Sequence, residues 1–289
     1  MPSCTRRAFL AASLASLALR PARADAHPLR FGVTPVMLDD EVGFLNRWAD
    51  WLERQLGRPV VLVQRSRYRE ILDLLLRGRL DLAWICGYPY VQHRAELSLI
   101  AVPRFQGRPY YHAYLIVAAD SNLQTLADLE GRLFAWADPD SNSGYLYPRF
   151  LLRSAGKDPD HYFRRTFFTW GHPRSIDAVA EGLVDAAAVD GYVWETLARR
   201  APQRTAGTRV ILRSPAFGFP PLAASGLVPE GLRRELRRVL LAQVQDPEGR
   251  ALLADLDLDT FSVEEESLYD EIAAMATRLG QGAAQGAGA

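Results

Sequence analysis

The chain has 289 residues, and 34 lysines and arginines against 34 aspartates and glutamates give it a formal net charge of +0. A balance of that kind holds no basic stripe for the phosphates of a nucleic-acid duplex. The length suits one large domain or two of ordinary size, and the order of elements favours two.

The first 26 residues read as an export signal. Arg6 and Arg7 precede Phe9-Leu10 and an apolar run from Ala8 to Leu19, well short of the roughly 20 apolar residues that span a bilayer. Small-residue cleavage patterns follow at Ala22-Arg23-Ala24 and Ala24-Asp25-Ala26. The arginine pair is twin-arginine-like, with a Sec signal as the competing reading. The mature protein is then expected in the periplasm with the signal cleaved, 30 basic against 33 acidic residues and a charge of about −3. Cys4 lies ahead of the apolar run, not after it as a lipoprotein cysteine would. Its removal leaves Cys86 alone, so no internal disulfide is expected.

Beyond the signal, LRFGVTP (Leu29 to Pro35) reads as a buried strand. Val42, Leu45, Trp48, Ala49, Leu52 and Leu56 then recur at helical spacing until Gly57 and Pro59 stop the helix. PVVLVQ is a strand, Tyr68 to Arg77 a helix closed by Gly78, and Leu80 to Gly87 a further strand. The alternation predicts a parallel sheet covered by helices. A second block repeats it: strand Tyr110 to Ala118, a short helix at LADLEG, strand Arg132 to Asp138, helix Gly144 to Ser154. Strand Phe163 to Gly171, helix Ser175 to Leu183 and strand Val184 to Gly191 follow. A Pro/Gly-rich stretch, SPAFGFPP, leads to a helical region from Pro229 to Leu279, and residues 280–289 form a low-complexity tail expected to be disordered. Two α/β blocks predict two lobes.

The loop DPDSNSG between strand Arg132 to Asp138 and the next helix carries the chemistry. Ligands of open α/β sheets sit outside the carboxyl ends of the strands, and a helix N-terminus with small hydroxyl-bearing residues suits an anion. Ser141 or Ser143 acting only as an N-cap is the plainer alternative. No G-x-S-x-G elbow or H-E-x-x-H is present, and His161 and His172 lack a third ligand for zinc. No enzyme activity, metal or cofactor is expected. Trp84, Trp136 and Trp170 are read as packing residues.

DLAWICGYPY, YYHAYLIVAADS, LADLEGRLFAWADPDSNSGYLYPRFLL, the Gly-His of WGHPRSIDAVAEGLVDAAAVDG and DPEGRALLADLDLDTF together resemble the PhnD-like family. These are periplasmic binding proteins of phosphonate, phosphite and phosphate ABC transporters. The resemblance covers nearly all of the mature chain, and DPxSxSGY…P followed by Gly-His is its most specific part.

It implies an α/β, two-lobed type II periplasmic binding protein with two hinge strands. Residues 27–113 and 213–279 would form one lobe and 114–212 the other, with a small tetrahedral oxyanion held between them. It also implies a pocket made of Ser141, Asn142 and Ser143 at the helix head, His172 from the next loop, Tyr68 and Tyr111 from the first lobe and hinge, and Asp190 after the VDAAAV strand. Each has a plainer reading: Tyr68 on a helix surface, Tyr111 in a strand core, His172 as a loop cap, Asp190 as the cap of the following helix. Family members usually have Ser-Thr-Ser where this chain has Ser-Asn-Ser, which bears on the identity of the anion. The implied partner of a monomeric binding protein is an ABC permease. The alternative is a sensory protein, for arsenite or another oxyanion, that presents its closed form to a membrane sensor kinase. Cys86 is either a buried small apolar residue or a soft ligand at the cleft mouth.

Overall fold

The computed structural model describes residues 27–34 and 42–280. The export signal and residues 281–289 of the tail lie outside the described residues.

The first block folds as read. Strand β1 (Leu29–Val33), helix α1 (Val42–Leu56), β2 (Val60–Gln64), α2 (Tyr68–Leu76) and β3 (Leu82–Trp84) alternate. β1 runs parallel to both β2 and β3, in register Leu29 with Val60 and Phe31 with Leu82. The strand expected over Leu80 to Gly87 is shorter, because Cys86 already heads a helix, α3 (Gly87–Gln92). The sequence reading passed over the next strand, β4 (Leu97–Arg104), whose LSLIAVPR has neither clean alternation nor turn signals at its ends.

The strand expected over Tyr110 to Ala118 divides at His112. β5 (Tyr110–Tyr111) ends there and β6 (Ala113–Ala118) enters a second sheet, with β7 (Leu133–Trp136), α4 (Tyr147–Ser154), β8 (Arg165–Phe168), α5 (His172–Ala180) and β9 (Ala186–Asp190). α6 (Gly191–Arg200), α7 (Pro202–Thr205) and β10 (Thr208–Arg213) complete that block. The chain then returns through β11 (Phe217–Gly218) and β12 (Leu222–Ser225). The C-terminal region is not wholly helical: α8 (Glu230–Ala242) and α9 (Pro247–Asp255) are followed by β13 (Thr260–Ser262) before α10 (Asp270–Arg278). β13 is three residues long, too short for alternation to show, and pairs with β4.

Two sheets result, in the orders β13-β4-β12-β3-β1-β2 and β10-β6-β9-β7-β8. The chain crosses between them twice, and the crossings pair as an antiparallel ribbon, Tyr111 opposite Phe217. β12 enters the first sheet antiparallel to β3 and β4, so the C-terminal third of the chain completes the lobe that its N-terminus began.

Each lobe has its own aromatic core. Trp48 packs against Phe31 at 5.2 Å, Phe44 at 5.8 Å and Trp84 at 6.1 Å between ring centroids. On the second sheet Phe134 lies 4.1 Å from Phe163 and 4.6 Å from Trp136. Burial of each such side chain contributes about 1.5–3 kcal/mol. Trp84 and Trp136 are thus packing residues, with the Trp84 indole N–H donating to the Pro220 carbonyl at 2.9 Å.

Candidate functional site

The DPDSNSG loop leaves the carboxyl end of β7 and enters a wide π turn, Asn142–Leu146, ahead of α4. Ser141 caps the turn: its Oγ accepts from the Gly144 N–H at 3.0 Å, and its carbonyl accepts from the Leu146 N–H at 3.0 Å. The plainer reading of Ser141 as a cap therefore holds, and the cap leaves its O–H free to donate elsewhere. Gly144 is required here, since a Cβ would stand 2.4 Å from the Ala137 Cβ and 3.1 Å from His172 Cε1.

Residues of the first lobe meet this turn from the other side. The Asn142 N–H donates to Cys86 Sγ at 3.2 Å, and its Nδ2 donates to the Tyr111 hydroxyl at 2.9 Å. Asp138, at the head of the loop, accepts from the Asp140 N–H at 2.8 Å and from the Tyr68 N–H at 3.2 Å. Arg69 binds Asp140 at 2.8 Å. The side of the cleft nearer the hinge is closed as well, by Thr196 Oγ1 donating to Asp257 at 3.0 Å.

His172 and Asp190 complete the constellation from α5 and the end of β9. The Asp190 N–H donates to His172 Nδ1 at 3.1 Å, which leaves the imidazole proton on Nε2. Burial pushes the imidazole down to about 3, so the ring is neutral. Burial pushes Asp190 up to about 8 against the opposing backbone N–H groups of Tyr192 and Val193, which makes it a carboxylic acid at neutral pH. Its Oδ1 accepts from the Tyr192 N–H at 2.8 Å, so it also caps α6. Burial raises the Tyr68 and Tyr111 phenols well above their ordinary range, and both stay protonated. Asp138 is pushed up to about 6 by burial, in opposition to the two N–H groups it accepts from.

All seven residues singled out in the sequence are brought together, and none is more than 2% exposed. Tyr68 is not on a helix surface, and Tyr111 belongs to the hinge ribbon. Among the described residues, three of their polar atoms, Tyr68 Oη, Asn142 Oδ1 and Ser143 Oγ, are buried without a hydrogen bond of good geometry, Ser143 Oγ lying beside the Tyr111 hydroxyl. None of the seven is cationic, and the nearby Arg69 guanidinium is committed to Asp140. The arrangement offers neutral donors and one amide acceptor, which can hold an anion by hydrogen bonds without a counter-charge.

Cys86 stands in the same wall, 4% exposed. Burial pushes its thiol up to about 12, so it is a protonated acceptor of the Asn142 N–H and not the thiolate that a soft metal or metalloid needs. The sequence reading missed Asp138 and Arg69 as links across the cleft. Asp138 sat inside the quoted motif, at a strand end where such roles are expected, but nothing in the sequence pointed it at Tyr68.

Residues 31–269 match the model of a family described as ABC transporter, phosphonate, periplasmic substrate-binding protein. The chain belongs to that family. Among curated relatives, it is 24% identical to a probable ABC transporter phosphite-binding protein, PhnD1, of Prochlorococcus marinus, over 94% of this chain and 97% of the relative. It is 25% identical to the phosphonates-binding periplasmic protein of Escherichia coli, over 94% of this chain and 86% of that one. The solved structure of PhnD1 in complex with methylphosphonate has the same fold, with a TM-score of 0.79, 24% identity and coverage of 88% of this chain and 98% of that one. Members of the family are substrate-binding proteins of ABC importers, and such proteins are exported to the periplasm. The two sheets and the hinge ribbon are the lobes and hinge of a type II periplasmic binding protein.

Proposed function

We propose that the protein captures a small tetrahedral phosphorus oxyanion, of the phosphonate, phosphite or phosphate class, between its lobes and delivers it to an ABC permease. Residues 27–113 with 213–279 move as one lobe and 114–212 as the other, after removal of residues 1–26. The observation that carries this reading is the trio of buried, unpartnered polar atoms, Tyr68 Oη from the first lobe and Asn142 Oδ1 and Ser143 Oγ from the second. Leaving such a group unsatisfied costs about 1–3 kcal/mol, so a ligand that satisfies all three favours the closed arrangement over the open one.

The chemistry of the donors narrows the ligand. Ser141, Ser143, Tyr68, Tyr111 and His172 Nε2 donate to anion oxygens. The Asp190 carboxylic acid donates as well when protonated, and Asn142 Oδ1 accepts. A ligand carrying both bare oxygens and a P–OH matches this set, whereas sulfate at neutral pH has no proton to give Asn142 Oδ1. Phosphite, for which the Prochlorococcus relative is named, and methylphosphonate, bound in its solved structure, belong to the favoured class.

A thermal-shift panel on residues 27–289 tests the reading, with phosphate, phosphite, methylphosphonate, sulfate, arsenate and arsenite. Binding to the folded state raises the melting temperature by mass action, and a ligand at a hundred times its Kd adds about 2.7 kcal/mol. A shift with a phosphorus oxyanion and none with sulfate is expected. A shift with arsenite alone, lost in Cys86→Ser, would replace the reading, and no shift with any of the six would overturn it.

A further inference from the structure

A cavity of about 280 Å³ lies beside the hinge, near the lower end of the roughly 300–1,000 Å³ that small-molecule sites occupy. It abuts the anion site without being part of it. Of the seven anion-site residues only Tyr111 lines it, and the Tyr111 hydroxyl accepts from Asn142. Gly191, next in the chain to Asp190, lines it as well. The Gly191 N–H donates to the His112 carbonyl at 2.8 Å, and a Cβ on Gly191 would stand 2.8 Å from that oxygen, so the head of α6 is packed directly on the hinge.

Both lobes build its walls. From the first, the turn after β4 supplies Gln106 and Arg108. Phe105 and Arg108 exchange backbone hydrogen bonds of 2.9 and 3.1 Å, so Gln106 and Gly107 form a two-residue turn, with φ of 52° and 76°. Glycine takes such a φ freely and glutamine does not, and backbone held in this way concentrates at ligand sites. Two contacts hold it: the Gln106 Nε2 donates to Glu195 of α6 at 2.9 Å, and the Gly107 N–H donates to Asp259 at 2.6 Å. From the second lobe come Tyr114 and Glu195, the tyrosine hydroxyl donating to the carboxylate. Glu195 is the one acid on the walls, and Tyr114, Gln106 and Arg199, at 3.9 Å, already engage it. The two arginines on the walls, Arg108 and Arg213, are exposed, and among the described residues neither has a carboxylate within ion-pair distance. The Arg213 guanidinium stands 6.0 Å over the Tyr114 ring.

We propose that this hinge cavity is a second ligand site, for a small organic anion with two or more acidic groups, and that its occupancy strengthens capture of the oxyanion in the cleft. The charge decides the ligand class, since two guanidiniums without a counter-charge present forked donors that fit carboxylates and phosphate esters alike. The walls decide the effect. Arg108 belongs to the first lobe and Tyr114 to the second, so an anion that touches both favours the arrangement in which Gln106 meets Glu195. The cleft oxyanion favours the same arrangement, and two ligands that favour one state raise each other's affinity by the same factor. The site stands on its own geometry, and the coupling rests on the binding-protein reading above.

The test titrates citrate and glycerol 3-phosphate by calorimetry into residues 27–289 and into two variants. Arg108→Ala/Arg213→Ala removes both guanidiniums at exposed positions outside the anion site, and Ala216→Trp, at an exposed residue of the wall, fills the cavity and keeps its charge. The wild type is expected to bind at least one probe, and each variant to bind it at least tenfold more weakly. Binding of citrate alone names carboxylates as the ligand class, and of glycerol 3-phosphate alone, phosphate esters. Whichever of phosphate, phosphite or methylphosphonate the wild type retains should bind at least fivefold more tightly at saturating probe. The double variant should lose that gain while melting normally and binding the oxyanion alone within twofold of wild type. No heat from either probe, or equal binding by wild type and both variants, overturns the site. Probe binding without a gain in oxyanion affinity overturns the coupling. Retention of none of the three oxyanions, with probe binding that both variants lose, overturns the binding-protein reading and leaves the hinge site standing.

Discussion

Asn142 is held from two directions by groups outside its own lobe: Cys86 Sγ accepts its backbone N–H at 3.2 Å, and the Tyr111 hydroxyl accepts from its Nδ2 at 2.9 Å. The N–H at the head of the turn is therefore satisfied by a thiol of the opposite lobe. Closure and the geometry of the proposed anion site are thus set by the same contacts.

Removing the sulfur leaves that N–H buried and unpaired in the closed state, at a cost of about 1–3 kcal/mol. Cys86→Ala is expected to weaken anion affinity by about fivefold to a hundredfold, with little change in the melting temperature of the ligand-free protein. Cys86→Ser supplies an acceptor and keeps the affinity near wild type. Calorimetric titration of the two variants checks this, and equal affinities for Ala and Ser would show that the sulfur contact does not matter.

The same contact predicts ligand-gated chemistry of the thiol. Its burial in the closed state raises it to about 12, so alkylation requires opening. Iodoacetamide labelling of the native protein should slow at least tenfold on addition of a bound anion. Labelling at the same rate with and without ligand would mean that Cys86 is not at a moving interface.

Two groups set the pH range. Burial raises Asp190 from the ordinary carboxylate value to about 8, so the closed state holds a proton that the open or unfolded state releases above about pH 4. Stability from that group is fully present at acid pH and is lost as pH rises toward 8. His172 is pushed down from its ordinary value to about 3, so the closed state excludes a proton that the unfolded state takes up, and stability is lost as pH falls from 6.5 toward 3. Anion affinity should be level from about pH 4 to 6.5, where the two opposite slopes cancel, and fall on both sides of that window, on the alkaline side up to about 8. Asp190→Asn removes the alkaline limb for the same anion, and an unchanged alkaline limb would show that another group titrates there.

Gly144→Ala tests the packing of the turn. The added Cβ meets Ala137 at 2.4 Å, where neither side chain can swing away. Overpacking of this kind costs about 1–3 kcal/mol, which for a chain of this size lowers Tm by about 2–12 °C. Affinity falls too, because the turn carrying Ser143 and Asn142 must lift off β7. A variant with wild-type Tm and affinity would contradict the geometry.

The alternating strands and helices were legible because their periods are strong: Val42 to Leu56 was read to the residue. What escaped depended on partners distant in sequence. β13 acquires its identity from β4, more than 150 residues earlier, and β5 separates from β6 only because Tyr111 pairs with Phe217 while Ala113 pairs with Asp190. At the site, residue types and position pointed only to the loop carrying Ser141 and Ser143 at a helix head; the full set of seven came from the resemblance to the PhnD-like family. The links of Asp138 to Tyr68 and of Cys86 to Asn142 cross the cleft, and no local pattern encodes a contact that exists only when two lobes close.

The most direct test of the account is a calorimetric titration of phosphate, phosphite, methylphosphonate and sulfate into wild type and the Tyr68→Phe/Ser143→Ala double variant. That variant deletes one unpartnered hydroxyl from each lobe and leaves both cores intact. The account predicts that a phosphorus oxyanion binds the wild type and sulfate does not, and that the double variant binds at least a hundredfold more weakly while unfolding normally. Binding of equal strength by wild type and double variant would contradict it, and would place the anion somewhere other than between Tyr68 and Ser143.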